Sequence, residues 1–154
     1  MVFRTAEQKD IEQLVTMRVS YLIADWGYLT PEQTAAVESQ LPEYLKKHLG
    51  TDLMGYVAEE DGQLMGTVLM LVQEKPAGPT ALNGKTGTLM NVYTKSECRG
   101  QGVGAKLVKM ALEDARQKGL CHVDLQATNQ GKKLYEYLGF LRQDTHYTPM
   151  VFEL

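Results

Sequence analysis

Apolar residues return every three or four positions at Ile11, Leu14, Val15, Val19 and Leu22, a spacing that gathers them on one face of a helix. Thr5-Ala6-Glu7-Gln8 is a capping box placed to start that helix, and Val2 to Arg4 ahead of it reads as a short strand. Thr30-Pro31-Glu32-Gln33 repeats the capping logic with proline at the first helical position, and Pro42 is expected to divide the helical stretch after it into two short helices ending at Gly50. The period then changes. Leu53 to Glu59 and Leu64 to Gln73 are strand-like runs joined by Glu60-Asp61-Gly62-Gln63, a hairpin signal. Lys75 to Lys85, with Pro76, Gly78, Pro79 and Asn83-Gly84, is a long loop, expected at the rim of a site or as a flexible connector. Thr86 to Tyr93 reads as a third long strand.

Beyond it, Val103, Leu107, Val108, Ala111, Leu112 and Ala115 line one face of a helix that Gly119 should end. Leu120 to Ala127 then returns as a strand parallel to the Thr86–Tyr93 strand, because a helical crossover joins the two. The expected order is helix, helix, three strands, helix, strand, helix, strand: an α/β (mixed α+β) fold with a mixed sheet and helices on both faces. No repeat, linker or low-complexity tract divides the chain, so residues 1–154 are expected to form a single domain.

The handover from the third long strand to the next helix is Cys98-Arg99-Gly100-Gln101-Gly102-Val103-Gly104-Ala105-Lys106-Leu107. Unpaired N–H groups and the positive end of the helix dipole make such a place a site for an anion, and glycines let phosphate oxygens approach the backbone. Three phosphate-binding patterns compete. A P-loop needs Ser or Thr after its lysine, and Leu107 follows Lys106. The dinucleotide fingerprint is met formally by Gly100, Gly102 and Ala105, with Asp124 where a ribose-binding acid belongs. Against it, Thr94-Lys95-Ser96-Glu97-Cys98 separate the strand from the first glycine, and too little chain remains for further strand-helix units. The third pattern, Arg/Gln-x-x-Gly-x-Gly/Ala, is met by Arg99, Gly102 and Gly104 without strain.

In the run Val92 to Gly104 this pattern resembles the pyrophosphate loop of the GNAT superfamily, the acyl-CoA-dependent N-acyltransferases. Leu134-Tyr135-Glu136-Tyr137-Leu138-Gly139-Phe140 is similar to the family's Leu-Tyr-Glu-x-x-Gly-Phe helix, at the family's usual separation. A closing strand containing Met150 also fits. The resemblance implies a GNAT-like, mostly antiparallel sheet with a central parallel strand pair. It implies acetyl-CoA as co-substrate, with the pyrophosphate on the N–H groups of Gly100, Gln101, Gly102, Val103, Gly104 and Ala105 and with Arg99 at the mouth of the loop. Val92, Tyr93 and Thr94 would pair with the pantetheine amides as a pseudo-strand.

Tyr135 would supply the proton or hydrogen bond that the departing thiolate needs. The asparagine that the family places seven residues ahead of this tyrosine is here Thr128, with Asn129 one residue later, and either could touch pantetheine or cap the helix. Some members take the amine's proton with a carboxylate on the strand before the glycine loop. This chain has no Asp or Glu between Glu74 and Glu97, so water or a group elsewhere, Glu59, Glu60, Asp124 or His146, is left for that role. Cys98 invites a covalent acyl-enzyme, whereas the family transfers directly in a ternary complex. Arg18 interrupts the apolar stripe of the first helix, where it either reaches the acceptor pocket or snorkels over the core.

The formal charge of −3 argues against nucleic acid as a partner. Cys98 and Cys121 lack disulfide-framework or metal-ligand spacing, so no metal is implied. The longest apolar run, Val68 to Val72, is too short to span a bilayer and no signal-peptide pattern opens the chain, which makes a cytoplasmic location and no membrane partner the expectation. The acceptor is read as a small-molecule or protein amine, and a homodimer is compatible with the sequence. Two rivals stay open: a CoA-binding regulatory module without chemistry, and a nucleotide-binding oxidoreductase.

Overall fold

A computed structural model describes residues 1–154. In chain order the elements are β1 (Val2–Thr5), α1 (Ile11–Trp26), α2 (Pro31–His48), β2 (Leu53–Glu60), β3 (Gln63–Glu74), β4 (Lys85–Thr94), α3 (Val103–Gln117), β5 (His122–Asp124) and α4 (Lys132–Tyr137). One sheet holds all five strands in the order β1-β2-β3-β4-β5. Every pairing is antiparallel except β4 with β5, which the α3 crossover makes parallel. The sheet is therefore mixed and mostly antiparallel, as the resemblance implies.

The dense apolar runs of β2 and β3 have a simple cause, since both faces of these central strands are covered. Tyr56, Ala58, Val68 and Met70 meet Leu107, Val108 and Ala111 of α3 on one face. Leu53, Val57 and Leu69 meet Leu14 and Met17 of α1 and Leu41 and Leu45 of α2 on the other. Helix α3 lies hard against β3: a Cβ at Gly66 would fall 2.8 Å from Val103 and 3.1 Å from Leu107. That contact holds the start of α3, and the glycine loop before it, over the sheet.

Two polar groupings fix the ends of the helices. The Arg4 guanidinium on β1 donates to Asp10 Oδ2 at 2.8 Å and through Nε to Glu59 Oε2 at 2.8 Å. Asp10 is buried, and its hydrogen bonds from Arg4 outweigh burial and hold its carboxyl below the usual range. On the opposite face the buried Tyr56 hydroxyl donates to Asp114 of α3, which also pairs with Lys118 at 3.1 Å. Burial, before that hydrogen bond, pushes the Tyr56 phenol up.

Four expectations are corrected. The first capping box forms at Glu7 and Asp10, not at Thr5, because Thr5 is used by β1 opposite Tyr56. Pro42 does not split α2, which runs unbroken from Pro31 to His48. Its lost hydrogen bond and ring clash cost about 3 kcal/mol in a helix interior, and burial of Leu41 and Leu45 on either side offsets them. Strand β5 spans only His122–Asp124 instead of running from Leu120 to Ala127. The closing strand around Met150 is absent: residues 141–154 have no strand or helix, and Met150 is 92% exposed. A strand persists only where its N–H and C=O groups find partners, and this segment makes no backbone hydrogen bond to the rest of the chain.

Candidate functional site

Strands β4 and β5 stay together only briefly. The register pairs Thr86 with His122, Gly87 with Val123 and Thr88 with Asp124, and goes no further. The Thr88 hydroxyl donates to Asp124 Oδ1 at 2.7 Å and pins this junction. From Leu89 onward β4 keeps its β3 partner but has none on its other side, so Val92, Tyr93 and Thr94 present an open edge in the gap between two parallel strands. A peptide-like chain can complete that edge by strand addition.

The gap is bordered by a bulge. Thr67 faces Tyr93 while Leu69 faces Met90, so Asn91 and Val92 together oppose Val68. Asn91 carries the extra residue at φ 53°, a conformation asparagine tolerates better than most side chains. Its buried Oδ1 accepts from Arg18 Nη1 at 3.4 Å, which brings α1 up to the bulge. Arg18 also lies over the Tyr21 ring at 5.7 Å. Arg18 therefore points toward the gap and not out over the core surface. Sequence reasoning misses Asn91 and Tyr21; a lone asparagine inside an apolar strand is the one available signal for the bulge.

Gly102 caps α3 in the left-handed region at φ 76°, and no side chain caps the helix. The first backbone hydrogen bond of α3 runs from Lys106 N–H to the Gly102 carbonyl at 3.0 Å. Ahead of it, the N–H groups from Gly100 through Ala105 find no backbone acceptor, and no acid stands in the first turn. An unpaired, uncapped helix start free of carboxylates suits an anion. Arg99 Nε donates to the Thr94 carbonyl at 3.1 Å and its guanidinium sits 5.8 Å from the Tyr93 ring centre, so the cation is tied to the mouth of the loop. The loop and the open edge of β4 are thus contiguous.

Helix α4 closes the third side. Tyr135 is half-buried, its ring edge-on to Phe140 at 5.8 Å. Burial, then the nearby Tyr21 hydroxyl, pushes its pKa up to about 12. Tyr137 is 77% exposed, with the Lys109 ammonium 6.0 Å over its ring. Thr128 performs the local capping, its hydroxyl accepting from Gly131 N–H at 3.1 Å. That frees the exposed side chain of Asn129.

The acids that the sequence left for proton removal are engaged elsewhere or remote. Glu59 belongs to the Arg4 pair, Asp124 to Thr88, and Glu60 lies 3.8 Å from the N-terminal ammonium. His146 stacks on Tyr147 at 4.0 Å in the exposed C-terminal segment. Cys98 is buried in the core cluster that α3 covers. No grouping of three His, Cys, Asp or Glu side chains stands ready for a metal ion. A cavity of about 900 Å³ contains no residue of the glycine loop; it lies beyond β5, between α3 and α4, and Tyr135 and Asn129 reach its wall.

A parallel strand pair that parts after Thr88, a glycine-rich helix start beside the open edge of β4 and a half-buried tyrosine on α4 thus stand together on a mostly antiparallel sheet. The chain belongs to the acetyltransferase (GNAT) family, whose model matches residues 19–140. It is 29% identical over 138 residues to N-acetyltransferase family 8 member 2 of Rattus norvegicus, covering 87% of this chain and 57% of that protein. It is 33% identical over 109 residues to rat N-acetyltransferase 8, covering 68% and 47%. The chain thus spans about half the length of the curated relatives it matches. Among solved structures, a predicted acetyltransferase with acetyl-CoA from Clostridium acetobutylicum superposes with a TM-score of 0.86 at 26% identity, over 98% of this chain and 95% of that one. A GCN5-related N-acetyltransferase from Ralstonia eutropha JMP134 shares the fold at TM-score 0.82 and 23% identity, over 97% of each chain.

Proposed function

We propose that residues 1–154 act as a single N-acetyltransferase domain, cytoplasmic and metal-free, that moves an acetyl group from acetyl-CoA to a primary amine by direct transfer in a ternary complex. The observation that carries this reading is the gap between β4 and β5, with an unpaired strand edge running into an unpaired helix start. In that reading the N–H groups of Gly100 to Ala105 take the pyrophosphate, with Arg99 beside them. Val92, Tyr93 and Thr94 pair with the pantetheine amides, and Asn129 bonds the arm from the other side. The thioester carbonyl carbon then lies near the bulge at Asn91, across from Tyr135.

The neutral amine nitrogen attacks that carbon, its bond to carbon forms, the carbon–sulfur bond breaks with the electron pair going to sulfur, and the proton the nitrogen sheds as it becomes an amide passes through water to the thiolate. Tyr135 donates a hydrogen bond to the sulfur as its charge develops. With a pKa near 12 the phenol keeps its own proton throughout the working range, so it serves as a donor at every pH of interest. The acceptor enters from the side of α1, where Arg18 and Tyr21 stand. A free primary amine has a pKa near 10.4, as in lysine, so most of it arrives as ammonium at about pH 7 and must lose a proton first. With Glu59 and Asp124 committed to structural partners, that proton leaves through water.

Incubation with acetyl-CoA and a panel of amines, monitored by free thiol, tests the proposal. Amine-dependent thiol release is expected. Tight CoA binding with no release on any amine would favour the regulatory module instead. Tighter binding of NAD than of CoA would overturn the reading, although the antiparallel β1-β2-β3-β4 arrangement already disagrees with a doubly wound dinucleotide fold.

A further inference from the structure

Arg4 and Arg18 are both half-buried, while Arg99, Arg116 and Arg142 are exposed. Arg4 has its charge answered by two carboxylates, those of Asp10 and Glu59. Arg18 makes no ion pair. Its hydrogen bond to Asn91 Oδ1 is long at 3.4 Å, and its other contact is the face of Tyr21 at 5.7 Å. Most of the N–H donors of its guanidinium are left unfilled. Drawing a cation partly out of water without a counter-charge is costly, so a group placed this way suits an anion that arrives from outside.

The acids of the neighbourhood do not supply that charge. Strand β4 carries none from Lys85 to Thr94. Asp25, whose charge acts on Tyr21, is exposed and stands two turns further along α1, about 10 Å from Arg18 along the axis. Thr67 shows the same surplus of polar groups at this spot. A Cβ at its neighbour Gly66 would meet Val103 of α3, so Thr67 itself faces α1, opposite Tyr93 at the bulge. Its hydroxyl is buried and has no partner.

We propose that Arg18 binds a carboxylate of the acceptor, which is therefore an amino acid whose amine and carboxylate sit on the same or neighbouring carbons. The inference rests on the acetyl-transfer reading, in which the thioester carbon lies by the bulge at Asn91. Because Arg18 reaches Asn91, the acceptor's anion and its reacting nitrogen must lie close together. A polyamine or a lysine side chain carries no anion that near its amine. The planar fork of a guanidinium offers two parallel N–H donors to the two oxygens of a carboxylate. The acid-free β4 then has a reason: a carboxylate there would draw Arg18 into an internal pair and repel the anion of the acceptor.

Matched pairs that differ only by the carboxylate test the proposal: phenylalanine and phenethylamine, leucine and isopentylamine, histidine and histamine. In at least one pair the amino acid should be the better acceptor in kcat/KM by about tenfold or more, as a charge-assisted, two-pronged contact gives. Members of a pair also differ in amine basicity, so the preference is compared with that of Arg18→Met, which keeps an apolar stem and removes the charge. There it should shrink by about tenfold, with Arg18→Lys in between. Calorimetry of the N-acetylated products on the CoA-saturated protein should show the same order without turnover. Selective product binding with no thiol release on any amine would keep the carboxylate site and remove acetyl transfer. No preference for the carboxylate in any pair, by rate or by binding, overturns the proposal. So does an Arg18→Met loss that falls equally on both members of each pair, which would leave Arg18 to hold the bulge alone.

Discussion

Replacement of Tyr135 by phenylalanine removes one oxygen and leaves the packing of the ring intact. The ring keeps its edge contact with Phe140 at 5.8 Å, and the groups that raise its pKa are burial and Tyr21, with no hydrogen bond among them. The hydroxyl is therefore free of structural duty, and Tyr135→Phe should melt within about 0.5 kcal/mol of the parent, as a substitution that loses no partner does. Its effect should fall on the chemical step. A hydrogen bond to a charged group contributes about 1.5–3 kcal/mol. At about 1.36 kcal/mol per decade that is a loss of roughly 10- to 160-fold, and a preorganised donor in a half-buried site extends it to about 10³. We expect kcat to fall by about 10² to 10³ with the CoA dissociation constant changed by less than about threefold.

Because a phenol of pKa about 12 does not ionise below that value, the parent should show no fall in rate from this group up to pH 10. The assay is thiol release with one good acceptor, beside calorimetric CoA binding, for the parent, Tyr135→Phe and Tyr137→Phe. A fully active Tyr135→Phe together with an impaired Tyr137→Phe would refute the assignment.

Gly104→Val should weaken CoA binding at least about tenfold, a change of about 1.4 kcal/mol. Its Cβ meets only Leu134 and Thr94 Oγ1, both at 3.6 Å, so the fold tolerates the position while the branches enter the mouth of the gap; unchanged CoA affinity in calorimetry would place the carrier elsewhere. Gly102→Val carries a strained φ of 76° besides, and its thermal shift should be the larger of the two. Glu59→Gln, Glu60→Gln, Asp124→Asn and His146→Gln should each lose less than about tenfold in kcat/KM, with the rate climbing from pH 6 toward the acceptor's own pKa near 10. One variant losing about 10³ and its limb near pH 7 would identify a dedicated base.

Asp10 is held below its unfolded value by Arg4, so its contribution to stability is complete above about pH 4 and lost as pH falls through the lowered folded pKa. The melting temperature of Asp10→Asn should therefore lie well below that of the parent at pH 6, and the gap should narrow below pH 4. A gap constant to pH 2.5 would remove this ion pair from the account.

The alternating and helical periods placed α1, α3 and β2 through β4 within a few residues of where they lie, because those patterns answer to burial on one or both sheet faces. The glycine loop was legible for a similar reason, since local chemistry alone makes an uncapped glycine-rich helix start. Where a local rule met a tertiary one, the tertiary one won. Pro42 sits inside α2 because Leu41 and Leu45 are buried on both sides of it, and Thr5 pairs in a strand instead of capping a helix.

By itself the sequence determined the order of elements from β2 through α4, the parallel return after α3, and a loop suited to an anion, because each depends on residues close together in the chain. It also supplied the two tyrosines of α4 without choosing between them except by likeness. Tertiary structure separates them, half-burying Tyr135 beside Phe140 and leaving Tyr137 in water. Only the sheet register could show that β4 and β5 part after Thr88, that Asn91 bulges, and that Arg18 arrives there from across the fold. Such long-range pairings have no period to read.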